Sequence, residues 1–290
     1  MSAKMEFEGK KYRVNGIEMN VIIEGQGPDL LLVHGFPDSI AVWRHQIPAL
    51  VAAGYRVIAP DQRGFGLTEA PLETKAYAIE NYVADLAALL DALGLKKVLL
   101  VGHDWGAAVC WKFCTRHPER VDRYVAVSVG HPTAYAKSPL KQKIKAYYII
   151  FFQIKGLSEW MVTRANWWLW RKRIRYDPEF ERWEAELSRP GRLTAAINIY
   201  RANLKLMLPQ NWPKVKVPVM GVWGEGDVAL VEEQMIASEK YVSASWRYER
   251  IGDRSGHWLM LSAPDKFNAV LLDYLKADVG TKARANSPPH

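Results

Sequence analysis

Hydrophobic residues occur along this chain in short continuous runs that alternate with helical spacings. Residues 29–33 and 55–59 are almost uninterrupted apolar runs, which is typical of strands buried on both faces of a parallel sheet. In residues 79–93 apolar side chains recur every three or four positions and Gly94 follows. This spacing predicts an amphipathic helix with a glycine at its C-terminal end. Residues 97–101 predict a third buried strand.

The same alternation returns in the second half of the chain. Further strands are predicted at 124–129, 217–223 and 246–251, and a final amphipathic helix at 264–276. Strands that alternate with helices form right-handed βαβ units around a parallel sheet. The predicted fold class is therefore α/β, with a mostly parallel sheet and helices on both of its faces.

Between Pro132 and Lys214 the strand pattern stops. Aromatic-rich, helical segments replace it, and they hold six of the twelve tryptophans. We interpret residues 132–214 as a helical cap over the carboxyl edge of the sheet, where open parallel sheets bind ligands. The predicted core then comprises residues 1–131 and 215–278. The small, polar residues 279–290 are expected to form a flexible tail.

The net charge of +8 is concentrated in the predicted cap. From Lys137 to Arg175 there are ten Lys or Arg residues and a single acid, Glu159, interleaved with aromatic residues. Such a stretch is compatible with a nucleic-acid patch or a membrane-surface patch. We favour an amphipathic cap with a basic outer face and an aromatic inner wall, because the stretch lies where a cap is predicted. No nucleic-acid partner is expected.

The remaining composition indicates a cytoplasmic protein without a transmembrane segment. The longest apolar run, 146–152, is far shorter than the roughly 20 residues of a spanning helix, and residues 1–11 lack a secretory signal. Cys110 and Cys114 are predicted to be buried free thiols, since C-x3-C alone is a weak metal signal. No metal or cofactor is predicted, and we expect a monomer or a homodimer.

Candidate chemistry first appears where the strand at 97–101 meets the next helix. The sequence Gly102-His103-Asp104-Trp105-Gly106 has the small-x-nucleophile-x-small pattern of a nucleophile elbow. Such a turn would project Asp104 above the sheet at a helix N-terminus, where the positive end of the helix dipole favours an anion. The alternative is that Asp104 only caps the helix.

An aspartate nucleophile restricts the reaction. Its carboxyl has a reference pKa of about 3.9, so it is ionised at neutral pH without a base. Attack on an acyl carbon would form a reactive anhydride, whereas attack on a saturated carbon forms an ordinary ester. Asp104 therefore predicts substitution at an alkyl carbon, with epoxides and alkyl halides as natural substrates.

An ester on Asp104 must be hydrolysed, which requires a histidine base and an acid that orients it. His257 follows the last predicted strand, and Asp227 follows the strand before it. The order nucleophile, acid, histidine is the usual one where a nucleophile elbow occurs. Glu225 and Asp253 are rivals of Asp227 for the role of the acid.

His34-Gly35-Phe36-Pro37 follows the first buried strand. The backbone N–H groups of Phe36 and Trp105 are predicted to form the oxyanion hole for hydrolysis of the ester. Pro37 is a candidate for a preceding cis peptide bond, which would direct the Phe36 amide. A simple tight turn would require the same glycine and proline.

Five motifs, taken together, resemble the epoxide hydrolases of the α/β-hydrolase fold: HGFP (34–37), DQRGFG (61–66), VGHDWGAAV (101–109), GEGD (224–227) and SGHW (255–258). They span most of the chain in the expected order. The resemblance implies hydrolysis of a small apolar epoxide by water to a vicinal diol, and a role in detoxification. Haloalkane and haloacetate dehalogenases are also similar, and they share the aspartate nucleophile.

The resemblance also implies two cap tyrosines that donate hydrogen bonds to the epoxide oxygen. Tyr200 matches the second, and Tyr148 matches the first, with Tyr147 as its rival. An opening epoxide develops an alkoxide, which needs such donors more than a departing halide does. Phe36, Trp105 and Phe152 are expected to contact the substrate.

Dehalogenation is the alternative reaction. Many haloalkane dehalogenases have Asn at the position of Phe36, whose side chain cannot donate a hydrogen bond. Haloacetate dehalogenases typically have Arg at the position of Trp105, although the Trp105 indole could itself serve as a halide donor. A non-catalytic binding protein is less favoured, because competent residues occupy all of the expected catalytic positions.

Overall fold

The computed structural model describes residues 9–164, 167–174 and 177–276. Eight strands form one sheet in the order β1-β2-β4-β3-β5-β6-β7-β8. β2 is antiparallel to both β1 and β4, and all other neighbouring pairs are parallel. The strands are β1 (Lys10–Val14), β2 (Ile17–Glu24), β3 (Asp29–Val33), β4 (Arg56–Pro60), β5 (Val98–His103), β6 (Val121–Val127), β7 (Val219–Gly224) and β8 (Trp246–Ile251).

Helices connect the parallel strands, which confirms the predicted α/β class. Before the cap they are α1 (Gln46–Ala52), α2 (Ile79–Ala92) and α3 (Trp105–Arg116). After it they are α11 (Glu232–Ile236), α12 (Leu259–Ser262) and α13 (Pro264–Lys276). Short 3₁₀ helices occupy Ile40–Trp43, Thr74–Tyr77, Pro118–Arg120, Asp177–Glu179, Leu204–Met207 and Ala237–Tyr241.

The hydrophobic runs located the central strands within a few residues. β3 coincides with its predicted range, whereas β6 begins three residues before its predicted start, because Asp122 and Arg123 interrupt its apolar run. The hairpin of β1 and β2 lies outside the predicted strands, since β1 is largely exposed. Its turn is Asn15-Gly16, both with positive φ, which is a recognised hairpin signal.

Among its described residues the cap contains helices, turns and irregular segments but no strand, in agreement with the prediction, and it joins β6 to β7. Its helices are α4 (Pro132–Ala136), α5 (Leu140–Lys145), α6 (Tyr147–Phe151), α7 (Leu157–Thr163), α8 (Trp168–Ile174), α9 (Phe180–Leu187) and α10 (Arg192–Ala202). The limits of the predicted domains stay predictions, and the predicted tail lies outside the described residues.

The expected division of the cap into a basic outside and an aromatic inside is wrong for three residues. Tyr147, Trp160 and Trp168 are all about half exposed or more, so aromatic rings are present on the outer surface as well. The reason is that α5 to α8 have too many large apolar side chains for a single buried face. Cys110 and Cys114 agree with expectation, because both are buried free thiols.

A buried aspartate fastens the cap to the core. Asp38 follows the HGFP motif, and its side chain is fully buried. It accepts hydrogen bonds from Arg182 at 2.9 Å and from the Trp183 indole at 2.8 Å, both on α9, and from the Trp258 indole at 2.9 Å. One carboxylate thus joins the loop after β3, the cap and the loop after β8. No helix among the described residues is long and apolar enough to cross a membrane.

Candidate active site

The turn between β5 and α3 holds Asp104 in a strained backbone conformation. Asp104 has φ 52° and ψ −123°, a region that non-glycine residues occupy mainly at functional sites. A Cβ atom on Gly102 would lie 2.7 Å from the carbonyl oxygen of Gly106, and one on Gly35 would lie 2.5 Å from the Asp104 Cβ. Glycine is therefore required at these positions for the turn to close and for the two loops to approach.

The Asp104 carboxylate is surrounded by groups that favour its charge. The Phe36 amide donates to Oδ1 at 2.8 Å, and His257 Nε2 lies 3.5 Å from Oδ2. Burial opposes ionisation, but His257 and the Trp105 amide outweigh it and hold the pKa of Asp104 below its ordinary value. Asp104 is thus an anion at neutral pH. The Phe36–Pro37 peptide bond is cis.

His257 lies between two carboxylates. Its Nδ1 is 2.9 Å from Asp227 Oδ2, while the other Asp227 oxygen accepts the backbone N–H groups of Ala229 and Leu230 at 2.7 and 2.8 Å. Burial favours the neutral ring, but the charge of Asp227 and the hydrogen bond to Asp104 together raise the pKa of His257 to about 10. His257 is therefore an imidazolium in the resting site.

The rival acids lie elsewhere. Glu225 pairs with Arg250 at 3.1 Å, and Asp253 pairs with Lys266, both at exposed positions. The structure therefore brings Asp227, and neither rival, to Nδ1 of His257. Among the described ranges, no three His, Cys, Asp or Glu side chains are grouped as a metal site would require.

Two tyrosines of the cap face the carboxylate. Tyr148 on α6 and Tyr200 on α10 meet edge to face, with ring centroids 5.7 Å apart. Both line the space above Asp104, whereas Tyr147 is 60% exposed. Burial raises the pKa of Tyr200 well above its ordinary value, so that its hydroxyl keeps its proton and can donate.

The indole of Trp105 is directed at Tyr200. The two rings meet edge to face with centroids 5.1 Å apart. Phe36 packs its ring on Tyr200 at the same centroid distance. Trp105, the candidate halide donor, is therefore part of the aromatic support of Tyr200.

The space above Asp104 has two lobes of about 60 and 50 Å³, each bordered by Asp104, Tyr148 and Tyr200. Both are small beside the roughly 300 Å³ of ordinary ligand pockets. Mostly apolar side chains form the remaining walls. These include Trp105, Ala108, Val129, Leu206 and Met207 in the first lobe, and Phe36, Trp170, Val228, His257 and Trp258 in the second.

The expected substrate contact of Phe152 is not supported. Phe152 is 1% exposed and borders neither lobe. Its ring packs against those of Tyr200 at 5.1 Å and Phe36 at 6.1 Å. Phe152 therefore supports the residues that form the wall, because the inward face of α6 is filled first by Tyr148 and Ile149.

Sequence reasoning missed a clamp between the cap and the loop that carries Asp227. On α5, Lys145 donates to the backbone carbonyl of Asp227 at 2.7 Å. Gln142 bonds the carbonyl of Ala229 at 3.0 Å and the amide of Val231 at 2.8 Å. The sequence signal for this clamp is a pair of polar residues, Gln142 and Lys145, three positions apart on the inward face of α5.

His103 also has a structural contact that the sequence left open. Its Nε2 lies 3.0 Å from the carbonyl oxygen of His257, and the two rings are 4.8 Å apart. Burial, together with the positive charge of His257, lowers the pKa of His103 to about 4. His103, the residue before Asp104, is thus neutral and contacts the loop that carries His257.

Comparisons with known proteins agree with this geometry. Residues 28–153 match the family described as the alpha/beta hydrolase fold. Epoxide hydrolase 3 of Xenopus tropicalis is 32% identical over 91% of this chain and 76% of its own length, and the AB hydrolase superfamily protein YfhM of Bacillus subtilis is 32% identical over 90% and 96%. A crystal structure of a Bacillus megaterium epoxide hydrolase with an inhibitor has a TM-score of 0.83 and 27% identity, covering 92% of this chain and 100% of that one. The chain belongs to the α/β-hydrolase family, among its epoxide hydrolases.

Proposed function

We propose that this protein hydrolyses small apolar epoxides to vicinal diols through a covalent ester on Asp104. One observation supports this most strongly: an ionised carboxylate and two tyrosine side chains border both lobes of the same small cavity. This arrangement supplies a nucleophile for the ring carbon and donors for the ring oxygen. The apolar walls and small lobes favour a small apolar substrate.

Ring opening begins at Oδ2 of Asp104, because the Phe36 amide holds Oδ1. Oδ2 forms a bond to the less hindered ring carbon, and the electron pair of the broken C–O bond moves to the epoxide oxygen. Tyr148 and Tyr200 donate hydrogen bonds to that oxygen as its charge develops, where such donors have the greatest effect on rate. The alkoxide takes a proton through the tyrosines and becomes the free hydroxyl. The proton that His257 loses replaces the one that the tyrosines supply.

Formation of the ester changes His257 from an imidazolium to a base. One of the two carboxylates that raise its pKa is Asp104, and an ester carries no charge. The pKa of His257 then falls, so that the neutral ring can take a proton from water. Asp227, fixed by the amides of Ala229 and Leu230, keeps the ring oriented and stabilises the imidazolium that forms again.

Hydrolysis completes the cycle. The hydroxide formed from water attacks the ester carbonyl carbon, and the amides of Phe36 and Trp105 donate to the resulting oxyanion. Collapse breaks the bond between the carbonyl carbon and the ester oxygen, which was Oδ2 of Asp104 and leaves with the product. The water oxygen replaces it, so that Asp104 is left as a carboxylic acid. Its proton passes to the departing diol, which restores the Asp104 carboxylate beside a protonated His257.

Incubation with a panel of alkyl and aryl epoxides and chloro- and bromoalkanes tests this function. Diol and halide release are measured in parallel, with Asp104→Asn as the control. We expect diol without halide from the wild type and neither product from the variant. Halide without diol would instead identify a dehalogenase in which the Trp105 indole holds the halide. A folded protein that releases neither product would indicate a binding protein.

The detoxification role, the cytoplasmic location and the monomeric or homodimeric state stay predictions from the sequence. We infer no nucleic-acid partner, and no cofactor is needed for the steps above. Light scattering of the purified protein would decide its oligomeric state directly.

A further inference from the structure

The exposed surface of the cap contains an unusual number of large hydrophobic side chains. Thirteen such side chains are exposed among the described residues, and eight of them lie between positions 140 and 168. Scattered single hydrophobic residues are normal on a protein surface, but a concentration of them marks an interaction site. The eight are Leu140, Ile144, Tyr147, Ile150, Ile154, Leu157, Trp160 and Trp168, which we call the cap outer face.

The first part of this surface follows helical spacing. α5 and α6 succeed each other with one residue between them. Exposed apolar residues recur every three or four positions along them and into the following turn, from Leu140 to Ile154. Gln142, Ile149 and Phe152, on the opposite side, are buried. The two helices therefore have two apolar sides, and only the inner one packs on the rest of the protein.

Positive charges surround the cap outer face. Six exposed cations lie within or beside it: Lys137, Lys141, Lys143, Lys155, Arg164 and Lys172. The only acid of this stretch, Glu159, is paired with the buried Arg201 at 2.8 Å. The cations of Arg164 and Lys172 lie over the rings of Trp160 and Trp168 at 4.3 and 4.0 Å. The surface thus combines aliphatic, indole and cationic groups. Acidic side chains lie at one border, in the groove that Lys141 and Lys172 share with Glu225, Glu232 and Glu233.

We propose that the cap outer face binds the surface of an anionic lipid bilayer. Aliphatic side chains insert among acyl chains, tryptophans and tyrosines prefer the headgroup region, and lysines and arginines attract anionic headgroups. A nucleic acid would match the cations but would leave the three exposed isoleucine and leucine side chains of α5 and α6 without a counterpart. A second copy of the chain would match the apolar residues but would bring the same cations together.

Membrane binding at this face would also place the active site close to a store of apolar molecules. On α6, Tyr147 and Ile150 are exposed, whereas Tyr148 and Ile149 border the cavity above Asp104. A single helix therefore separates the cap outer face from the active-site cavity. Binding to lipid and turnover of epoxide are separate measurements, so that failure of one leaves the other intact.

Cosedimentation with large unilamellar vesicles tests the proposal. The vesicles consist of phosphatidylcholine alone or with about 30 mol% phosphatidylglycerol, at about 0.1 M and about 0.5 M salt. We expect the full-length protein to partition to the anionic vesicles at low salt, and at least about tenfold more weakly to neutral vesicles or at high salt.

Two pairs of variants locate the surface. Lys141→Gln with Lys143→Gln should weaken partitioning about fivefold for each lysine removed, and Ile144→Ser with Ile150→Ser should weaken it about tenfold or more. Matched controls remove equally exposed groups outside the cap outer face: Lys96→Gln with Lys240→Gln, and Leu72→Ser with Leu208→Ser. The controls should bind as the wild type does. All variants should hydrolyse a water-soluble epoxide at the wild-type rate, which shows that they are folded.

Three results would overturn the proposal. The first is no partitioning to anionic vesicles, or equal partitioning by the cap variants and their controls. The second is a dimer in light scattering that the Ile144→Ser, Ile150→Ser variant abolishes, which would assign the surface to a second copy. The third is salt-sensitive binding to duplex DNA, without vesicle binding, that only the lysine variants weaken.

Discussion

The two halves of the active site hold their functional groups in different ways. Asp104, Asp227 and His257 lie at the ends of strands, carry charge and are fixed by backbone amides or by one another. Tyr148 and Tyr200 lie on cap helices, stay neutral and are fixed largely by aromatic rings. Charges require the oriented dipoles of the sheet edge, whereas neutral donors need only a packed apolar support.

If residues of the core perform both chemical steps, loss of the base His257 should have the largest of the expected effects, a loss of turnover. His257→Gln removes the base for hydrolysis but leaves Asp104 and the tyrosines in place. We expect turnover to fall by about 10³-fold or more, with the ester accumulating. Intact-protein mass spectrometry after addition of an epoxide should show a mass increase equal to that of the substrate.

Asp104→Asn treated with the same epoxide is the control and should show no adduct. Absence of an adduct in His257→Gln, with a substrate that the wild type converts, would contradict the two-step mechanism. It would leave direct attack of water as the alternative.

Loss of the Asp38 contact between the core and the cap should have the next largest effect, which is on the free energy of unfolding. Asp38→Ala leaves the Arg182 guanidinium and the indole N–H groups of Trp183 and Trp258 without this acceptor. Arg182 keeps its ion pairs with Glu179 and Glu186, so the loss comes from hydrogen bonds to a charged acceptor, each of which contributes about 1.5–3 kcal/mol. Urea denaturation should show this loss, and Asp29→Ala, which breaks a partly exposed pair with Arg56, should cost about 1 kcal/mol or less. Equal losses of unfolding free energy in the two variants would contradict the role of Asp38 in fastening the cap to the core.

Removal of one cap donor should have a moderate effect. Tyr200→Phe keeps the aromatic packing and deletes the hydroxyl, so we expect kcat/KM for epoxides to fall by about 10- to 100-fold. Tyr147→Phe, at the exposed neighbour of Tyr148, is the matched control and should leave kcat/KM unchanged. A reversed order of the two effects would show that the cap tyrosines have been assigned wrongly.

The smallest expected effect is a fall in the pKa of His257. Asp104→Asn imitates the neutral ester, so the pKa of His257, about 10 in the wild type, should fall by about one unit or more, equivalent to about 1.4 kcal/mol. Histidine titration by NMR measures this directly. Because the folded pKa is raised, the stabilisation from protonated His257 is complete below about pH 6.5 and is lost as pH rises towards 10. An unchanged pKa in the variant would contradict the proposed conversion of His257 into a base.

The sequence was sufficient for features encoded within one segment. The buried strands and the elbow around Asp104 follow from apolar runs and from small residues at fixed spacing. Tyr148 could not be separated from Tyr147 in the same way, because adjacent helical residues point in different directions and only packing decides which faces inward. Asp227 could be preferred over Glu225 and Asp253 only by position, since the contact with His257 spans two loops.

Other contacts are not indicated by any local sequence pattern. Asp38 lies far along the chain from Arg182 and Trp258, so no local pattern connects them. Phe152 was expected at the substrate because it is aromatic and lies near Tyr148. The structure gives it a supporting position, because two residues of α6 already fill the wall.

The triple contact of Asp38 has a consequence for the exchange of caps between related enzymes. The aspartate belongs to the core, Arg182 and Trp183 to the cap, and Trp258 to the loop that carries His257. A chimera that takes a cap without the matching residues would remove the Arg182 ion pair and the Trp183 donor from a buried carboxylate that is also bonded to Trp258, the residue after His257. The cap of this protein can therefore be transferred to a related enzyme only together with matching residues in two distant core loops, the loop after β3 and the loop after β8.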